Sequence, residues 1–461
     1  MGSGHKVSFV SLGCPKALVD SEHIVTALLD AGYDVVAEQD DDAEVVVVNT
    51  CGFIDAAKQE SIDTISQAYT QAKKVVVTGC MGKDPTELRE NFADLDFVSG
   101  PAEVAPVLSA VQSYAPVVTG GGSSRSMPGY FDPASAAGQR VRLTPEHYAY
   151  LKISEGCNHK CSFCIIPKMR GALSSRESAD VLAEAEQLVE EGVKELLVVA
   201  QDLSAYGLDI RYRESRWRDR SIPARLLNLC DELGSIAPWV RLHYVYPYPH
   251  VDHIIPLMSD GKILPYLDMP LQHASTDVLK AMRRPAALEK TLERLHRWRQ
   301  MCPELVVRST FIVGFPGETD QDVGALLDFL EEADLDRVGC FTYSAVEGAA
   351  ANALDDHVDE RDKIDRQEMV YEVQAPISAR HLAAKRGRTI RVLIDDARSG
   401  QIIDGYHAIG RSSADAPEID GSVHIRSDTP CREGEFVWVK IDDSDEHDLF
   451  GELVGESVRF G

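Results

Sequence analysis

At 461 residues the chain exceeds what one hydrophobic core usually spans, so two or three domains are expected. A formal net charge of −27 excludes a general nucleic-acid binder, which needs a positive surface. No apolar run approaches the roughly 20 residues of a membrane span, and "MGSGHKVSF" has neither a secretory apolar region nor, with Lys6, a myristoylation pattern, so a cytoplasmic protein without a membrane partner is expected. Ten cysteines in a cytosolic chain of this size point to metal or redox chemistry rather than disulfides.

In chain order, the first elements are three nearly continuous apolar strands. "HKVSFVSLG" ends at Cys14, "AEVVVVNT" at Cys51 and "KKVVVTG" at Cys80, with helical stretches between them. Unbroken apolar runs of this length read as buried parallel strands. In an open parallel sheet the carboxyl ends of the strands share one edge, where ligand sites are built. Cys14, Cys51 and Cys80 are therefore expected to converge as ligands of a metal cluster, with three inert buried thiols as the alternative. This domain is assigned to residues 1–118. The Gly/Ser/Pro-rich "TGGGSSRSMPGYFDPASAAGQ" follows as a linker, assigned to 119–142.

"HYAYLKIS" is a strand that leads directly into "GCNHKCSFCIIP". Cys157, Cys161 and Cys164 are spaced C-x3-C-x2-C. Zinc would need a fourth ligand to close a tetrahedron, and no Cys or His follows at knuckle spacing; His159, inside the loop, would be strained as a ligand. Three thiolates suit three irons of a 4Fe–4S cubane with the fourth iron open. A zinc loop or structural knot remains the alternative. This spacing, with Phe163 before the last cysteine, resembles the signature of the radical S-adenosylmethionine (SAM) superfamily. The resemblance implies that the open iron chelates SAM and that reductive cleavage yields a 5′-deoxyadenosyl radical.

Five more strands follow: "KELLVVAQD", "VRLHYVYP", "YLDMPL", "LVVRSTFIVGFPG" and "RVGCFTYS", separated by helical stretches such as "SADVLAEAEQLVEEG" and "TLERLHRWRQM". Six alternating βα units predict a partial TIM-type (β/α)6 barrel over 143–385, its site at the carboxyl ends of the strands. The arginine-rich "RYRESRWRDR" (211–220) reads as an exposed insertion with local ion pairs to Glu214 and Asp219, or as an rRNA contact. Cys230, Cys302 and Cys431 are read as structural, and Cys340 as structural or lining the cavity. From 386 to 461, "TIRVLIDDA", "SVHIRS", "EFVWVKIDD" and "LFGELV" predict a small β-barrel. The fold class is thus α/β multidomain: an open parallel sheet, a partial barrel and a small β-barrel.

Along nearly its whole length the chain resembles the methylthiotransferase family, which joins a three-cysteine α/β domain, a radical-SAM barrel and a TRAM β-domain. "SLGCPKALVDSE", "ISEGCNHKCSFCIIP", "MPLQHASTDVLKAMRR", "RSTFIVGFPGET", "FTYSAVEGAAAN" and "GRSSADAPEIDG" resemble its RimO-type branch, which acts on an aspartate of small-subunit ribosomal protein twelve. The tRNA-modifying branch usually has Gln-Met where Pro15 and Lys16 stand, and "VQSGS" where this chain has "LQHAS". Ala17 departs from the RimO-type pattern, which usually carries Asn.

The resemblance implies two 4Fe–4S clusters, one on Cys157, Cys161 and Cys164 and one on Cys14, Cys51 and Cys80. It implies one SAM as radical source and a second as methyl donor, with sulfur delivered to the aspartate β-carbon. Phe163, Gln201, Arg308 and Thr310 are expected at the SAM pocket, and no catalytic residue is assigned beyond the cluster ligands. A flavodoxin or ferredoxin is the expected electron donor. From Arg388 onward 16 Asp/Glu face 8 Lys/Arg, which favours a basic ribosomal protein over tRNA; Asp442, Asp443, Asp445 and Glu446 form an acidic run expected between two strands. The alternatives are a tRNA methylthiotransferase and a non-catalytic iron–sulfur protein that binds the ribosome.

Overall fold

The computed structural model describes residues 5–37, 42–71, 74–117, 140–285, 288–397 and 405–454. The expected linker stretch Thr119–Gln139 lies outside the described residues. The N-terminal part runs β1 (Lys6–Ser11), α1 (Pro15–Asp30), β2 (Asp34–Ala37), β3 (Val45–Thr50), α2 (Asp55–Gln71), β4 (Lys74–Gly79), α3 (Thr86–Asn91), β5 (Phe97–Val98) and α4 (Val104–Tyr114). Its sheet is all parallel in the order β2-β1-β3-β4-β5. Helices on both faces explain the unbroken valines of β3: Val45 and Val47 pack with α1 and α4, Val46 and Val48 with Ile65 and Ala68 of α2. The short edge strands β2 and β5 go beyond the three strands expected. This strand order reverses direction between β1 and β3, the place where such sheets bind ligands.

The second part carries β6 (Tyr148–Lys152), β7 (Ser154–Glu155), α5 (Ile166–Arg170), β8 (Ser174–Ser175), α6 (Ser178–Glu190), β9 (Glu195–Val199), β10 (Glu214–Trp217), β11 (Arg220–Pro223), α7 (Leu226–Leu233), β12 (Trp239–Leu242), α8 (Ile255–Ser259), β13 (Tyr266–Asp268), α9 (Thr276–Ala281), α10 (Leu288–Met301), β14 (Val306–Val313), α11 (Asp320–Ala333), β15 (Arg337–Thr342) and α12 (Glu360–Ala383). Six parallel strands form one open sheet in the order β15-β14-β13-β12-β9-β6, the partial barrel the alternation predicted. Cys340 packs in the core between strands and helices with Phe311, its partner in register, so it does not line the barrel interior.

The arginine-rich insertion is the hairpin β10–β11. Its ion pairs differ from those expected: Arg213 pairs with Glu177, Arg218 with Glu186 and Arg220 with Glu232, none with Glu214 or Asp219. Trp217 is buried and donates its indole N–H to Glu186, so it is not free to stack on a base.

The C-terminal part is a closed barrel of β16 (Thr389–Asp396), β17 (Ala408–Ser412), β18 (Val423–Arg426), β19 (Phe436–Ser444) and β20 (Leu449–Leu453), in the order β16-β17-β18-β20-β19. It is docked onto the base of the partial barrel. Asp415 pairs with Arg337 at 2.6 Å, Arg411 with Glu195 at 2.6 Å, and the Tyr148 and Tyr266 hydroxyls donate to Glu418 and Asp420. Part of this domain's acid is therefore turned inward. The acidic run is split: Asp442 and Asp443 lie in β19 and pair with Arg426 and Arg386, while Asp445 and Glu446 lie in the turn between β19 and β20, as expected.

Candidate functional site

The cysteine loop after β6 is a closed structure. The short ladder β7–β8 brackets it, and the Cys157 N–H donates to Gly171 C=O at 3.1 Å. Gly156 has φ +75°, and a Cβ there would lie 2.2 Å from Ala172 O, so only glycine lets the chain turn into the loop. The Ser162 hydroxyl donates to Ala281 C=O at 2.7 Å, tying the loop to the end of α9. His159 is engaged elsewhere: its Nε2 lies 2.8 Å from Asp202, and its ring stacks on Tyr246 at 4.1 Å. Burial raises the Cys157 thiol and pushes Cys164 up to about 12. Thiols so placed become thiolates when a cation binds them.

The second triad is assembled across the N-terminal sheet. Cys14 caps α1, a 16-residue helix whose positive pole favours a thiolate. Cys51 follows β3, its N–H donating to Ser61 Oγ at 3.1 Å, and Cys80 follows β4, its N–H donating to Thr50 C=O at 3.0 Å. Gly13, φ +98°, turns β1 into the site: a Cβ there would meet Cys51 Cβ at 3.0 Å and Sγ at 3.3 Å. Gly13 against the Cys51 side chain, and the Cys80 N–H on Thr50 C=O, set the three strand ends side by side. Burial pushes Cys80 up to about 11 and raises Cys51. At Cys14 burial also works upward, but Lys16, Arg170 and the backbone N–H groups of Ala17 and Lys16 outweigh it, and that thiol sits below its ordinary range.

Among the described residues no three or more Cys, His, Asp or Glu side chains close on a single metal ion. A cubane makes a different demand, because each thiolate takes its own iron and the cysteines ring the cluster rather than meet at a point.

The two triads face one another across the seam between the first two domains. Val19 and Leu18 of α1 pack against Tyr148 and Tyr150 of β6 and Leu197 and Val199 of β9. Cys80 packs against Ile165, the residue after Cys164, and Met169. Arg170, at the end of α5, carries its guanidinium to Cys80 and Cys14. Its Nη1 pairs with Asp20 of α1 at 3.0 Å and Glu155 at 3.1 Å, and Lys152 joins the same two carboxylates. Lys16 lies 3.5 Å above the Tyr244 ring.

The expected SAM-pocket residues divide. Phe163 packs with Ile312, Phe315 and Tyr343 beside the cysteine loop. Gln201 donates its Nε2 to Glu155 at 2.5 Å, while its buried Oε1 has no hydrogen-bond partner. Arg308 is instead paired with Asp268 and with Asp420 of the C-terminal barrel, beside a cavity of about 550 Å³ at the junction of the two. Thr310 Oγ1 lies 3.5 Å from its guanidinium.

Three family models match in order: Uncharacterized protein family UPF0004 over residues 6–100, the radical SAM superfamily over 151–330 and a TRAM domain over 387–454. The chain is 57% identical over 449 residues to the ribosomal protein uS12 methylthiotransferase RimO of Marinobacter nauticus, covering 97% of this chain and 95% of the relative. It is 55% identical to that of Bordetella pertussis, covering 98% of this chain and 100% of the relative. The chain belongs to the RimO family. In fold it is similar to the radical SAM methyltransferase TsrM of Kitasatospora setae, with a TM-score of 0.51 at 17% identity over 74% of this chain and 72% of that one.

In this RimO-family chain, sequence reasoning missed the residues that join the triads. Arg170, Lys152, Asp20 and Glu155 are all charged and largely buried. One signal was available: Lys152 interrupts an otherwise apolar strand just before the cysteine loop, where a solvated lysine has no place. Arg284, missed as well, has Nη1 4.0 Å from Cys161 Sγ and its guanidinium over Tyr246 at 4.0 Å.

Proposed function

We propose that this chain methylthiolates ribosomal protein uS12 at the β-carbon of an aspartate. The observation that carries the reading is the meeting of two three-cysteine sites, Cys80 of one lying against the residue that follows Cys164 of the other. Cys157, Cys161 and Cys164 would hold one 4Fe–4S cluster, and Cys14, Cys51 and Cys80 a second. Bound there with SAM, such groups supply a 5′-deoxyadenosyl radical, a transferable sulfur and, from a second SAM, a methyl group.

The chain's own residues supply position and exclusion. Gly156 and the β7–β8 ladder fix the first triad. Gln201 Oε1 and Arg284 Nε, both buried and without hydrogen-bond partners, offer an acceptor and a donor near it, suited to the amine and carboxylate of an amino-acid cofactor. Phe163, Ile312, Phe315 and Tyr343 keep water from that side. Asp20, held by Lys152 and Arg170, locks α1 and with it Cys14 over the barrel. Arg308 is read as a brace between barrel and TRAM domain rather than as a cofactor contact. A flavodoxin or ferredoxin would supply electrons, in the cytoplasm. Residues 1–118, 143–385 and 386–461 would act as three domains around a linker at 119–142.

Reduced, iron-loaded enzyme with SAM should add a methylthio group to uS12, read by mass spectrometry of the protein, and leave tRNA unmodified. Modified tRNA with unmodified uS12 would shift the reading to the tRNA branch. No 5′-deoxyadenosine from SAM would leave a non-catalytic iron–sulfur protein.

A further inference from the structure

The partial barrel is open on one side, and β15, its last strand, forms one wall of the opening with its edge capped by side chains of α12. Register places Ile312 against Phe341 and Thr310 against Gly339, while Phe311 and Cys340 point the other way into the helix-covered core. Side chains in register share a face, so Phe341 lies on the barrel's inner side. It is nonetheless 56% exposed, more than any other large apolar side chain among the described residues.

α12 runs antiparallel along this edge. Lys363 Nζ donates to Tyr343 C=O, Gln367 Nε2 to Cys340 C=O and Gln374 Nε2 to Leu335 C=O. Val370, on the next stripe of the helix, is buried in the core beside α11. Ile364 and Tyr371, seven residues apart and so on one stripe, lie on the side away from α11 and are 51% and 45% exposed. That stripe is flanked by Glu360, Glu368 and Glu372. From Glu360 to Gln374 the exposed charges are five acids and one cation, Arg361, because Lys363 and Arg366 turn inward. Ser344, just past β15, hydrogen-bonds Asp55 at 2.8 Å, which joins this wall to the exposed Phe53 and Ile54 after Cys51.

We propose that the wall formed by Phe341, Ile364 and Tyr371 with Glu368 and Glu372 is the docking surface for the basic protein substrate, guiding the segment that carries the modified residue toward the two triads. This rests on the reading of uS12 as substrate. The occupant follows from charge and chemistry: exposed aromatic and aliphatic anchors rimmed by carboxylates suit a cationic, partly apolar polypeptide and repel a polyanion.

The test uses full-length, iron-loaded enzyme with purified uS12. The double variant Glu368→Lys, Glu372→Lys should raise KM for uS12 about tenfold at low ionic strength, and the difference should shrink as salt screens it. Phe341→Ala should raise KM several-fold at all salt concentrations, since an apolar anchor is not screened. Iron content and melting temperature identify any variant that is merely unfolded, and Ile364→Ala then serves in its place, because the Tyr371 hydroxyl accepts from the Cys340 N–H, donates to the Cys340 C=O and holds the strand edge. If the parent modifies uS12 and the folded variants keep its KM within twofold, the surface is overturned while the substrate stands. If the parent does not act on uS12, the substrate reading falls and this surface with it.

Discussion

The two cysteine triads are built in opposite ways. Cys157, Cys161 and Cys164 sit in one loop whose geometry is set by its own hydrogen bonds and one glycine. Cys14, Cys51 and Cys80 come from three strand ends, and their surroundings include a cation, Arg170, from another domain. The first site is nearly self-contained. The second depends on the sheet, on the seam and on ion pairs that cross more than a hundred residues of sequence. The electrostatics differ accordingly. Burial pushes the loop thiol Cys164 up to about 12, whereas two cations and a helix terminus bring Cys14 below its ordinary range.

The largest expected effect separates the sites outright. Replacing Cys157, Cys161 and Cys164 by Ala should remove about half of the bound iron and abolish SAM cleavage, because thiolates are the cluster ligands. Replacing Cys14, Cys51 and Cys80 should remove the other half, spare SAM cleavage and stop sulfur insertion. Full iron in either triple variant, by metal analysis, would sink the assignment of that triad.

Next in size is Arg170→Met. It removes a buried cation and leaves Lys152 as the one cation among the described residues paired with Asp20 and Glu155. Breaking a buried ion-pair network in this way costs about 3–5 kcal/mol. Denaturant unfolding should show that loss, and the N-terminal triad should lose iron before the loop triad does. Equal retention at both sites would mean that the seam does not support the N-terminal site.

Two glycines give a smaller and more local contrast. Gly156→Ala forces a positive φ on alanine and drives its Cβ against a backbone oxygen, which should cost at least about 2 kcal/mol and loosen the loop triad. Gly13→Ala, also at positive φ, meets the softer Cys51 side chain. It should cost about 1–2 kcal/mol and be felt at the N-terminal triad. Iron retention in the two variants should divide along the same line.

The contrast also explains what could be read in the sequence. Periodicity exposes each barrel strand because every one is a local apolar run, and spacing exposes the loop triad because its ligands are neighbours. The dispersed triad was legible one step further on, through the rule that parallel strands end on one edge. The seam was not legible. Asp20 and Lys152 are 132 residues apart, and nothing local marks them as partners. The docking of the Ser413–Asp420 stretch under the barrel was hidden for the same reason: its acids were counted toward a surface for a basic partner, yet Asp415 is buried against Arg337. Edge strands β2 and β5 were missed because four and two residues are too few to show a period.

The smallest expected effect concerns pH and again falls on one triad only. His23 lies on α1, the helix that carries Cys14 onto the barrel. Burial, and then Arg140, hold its imidazole down to about 3 against the pull of Glu184. A histidine kept neutral in the fold titrates at its ordinary value near 6.5 once unfolded. Below that pH the unfolded chain takes up a proton that the fold refuses. The stability is therefore complete above about pH 6.5 and is lost progressively as the pH falls toward 3. His23 is only partly covered, so the loss at pH 5.5 should be about 1 kcal/mol, somewhat less than the full linkage value. Hydrogen exchange should show it as faster opening of α1 and β6, with the amides of the cysteine loop unaffected. His23→Gln cannot take up the proton and should flatten the change between pH 6.5 and 5.5. An unaltered pH response in that variant would mean that His23 does not carry it; Glu184, held to about 2, loses its contribution only below about pH 5 and cannot stand in for it in this window.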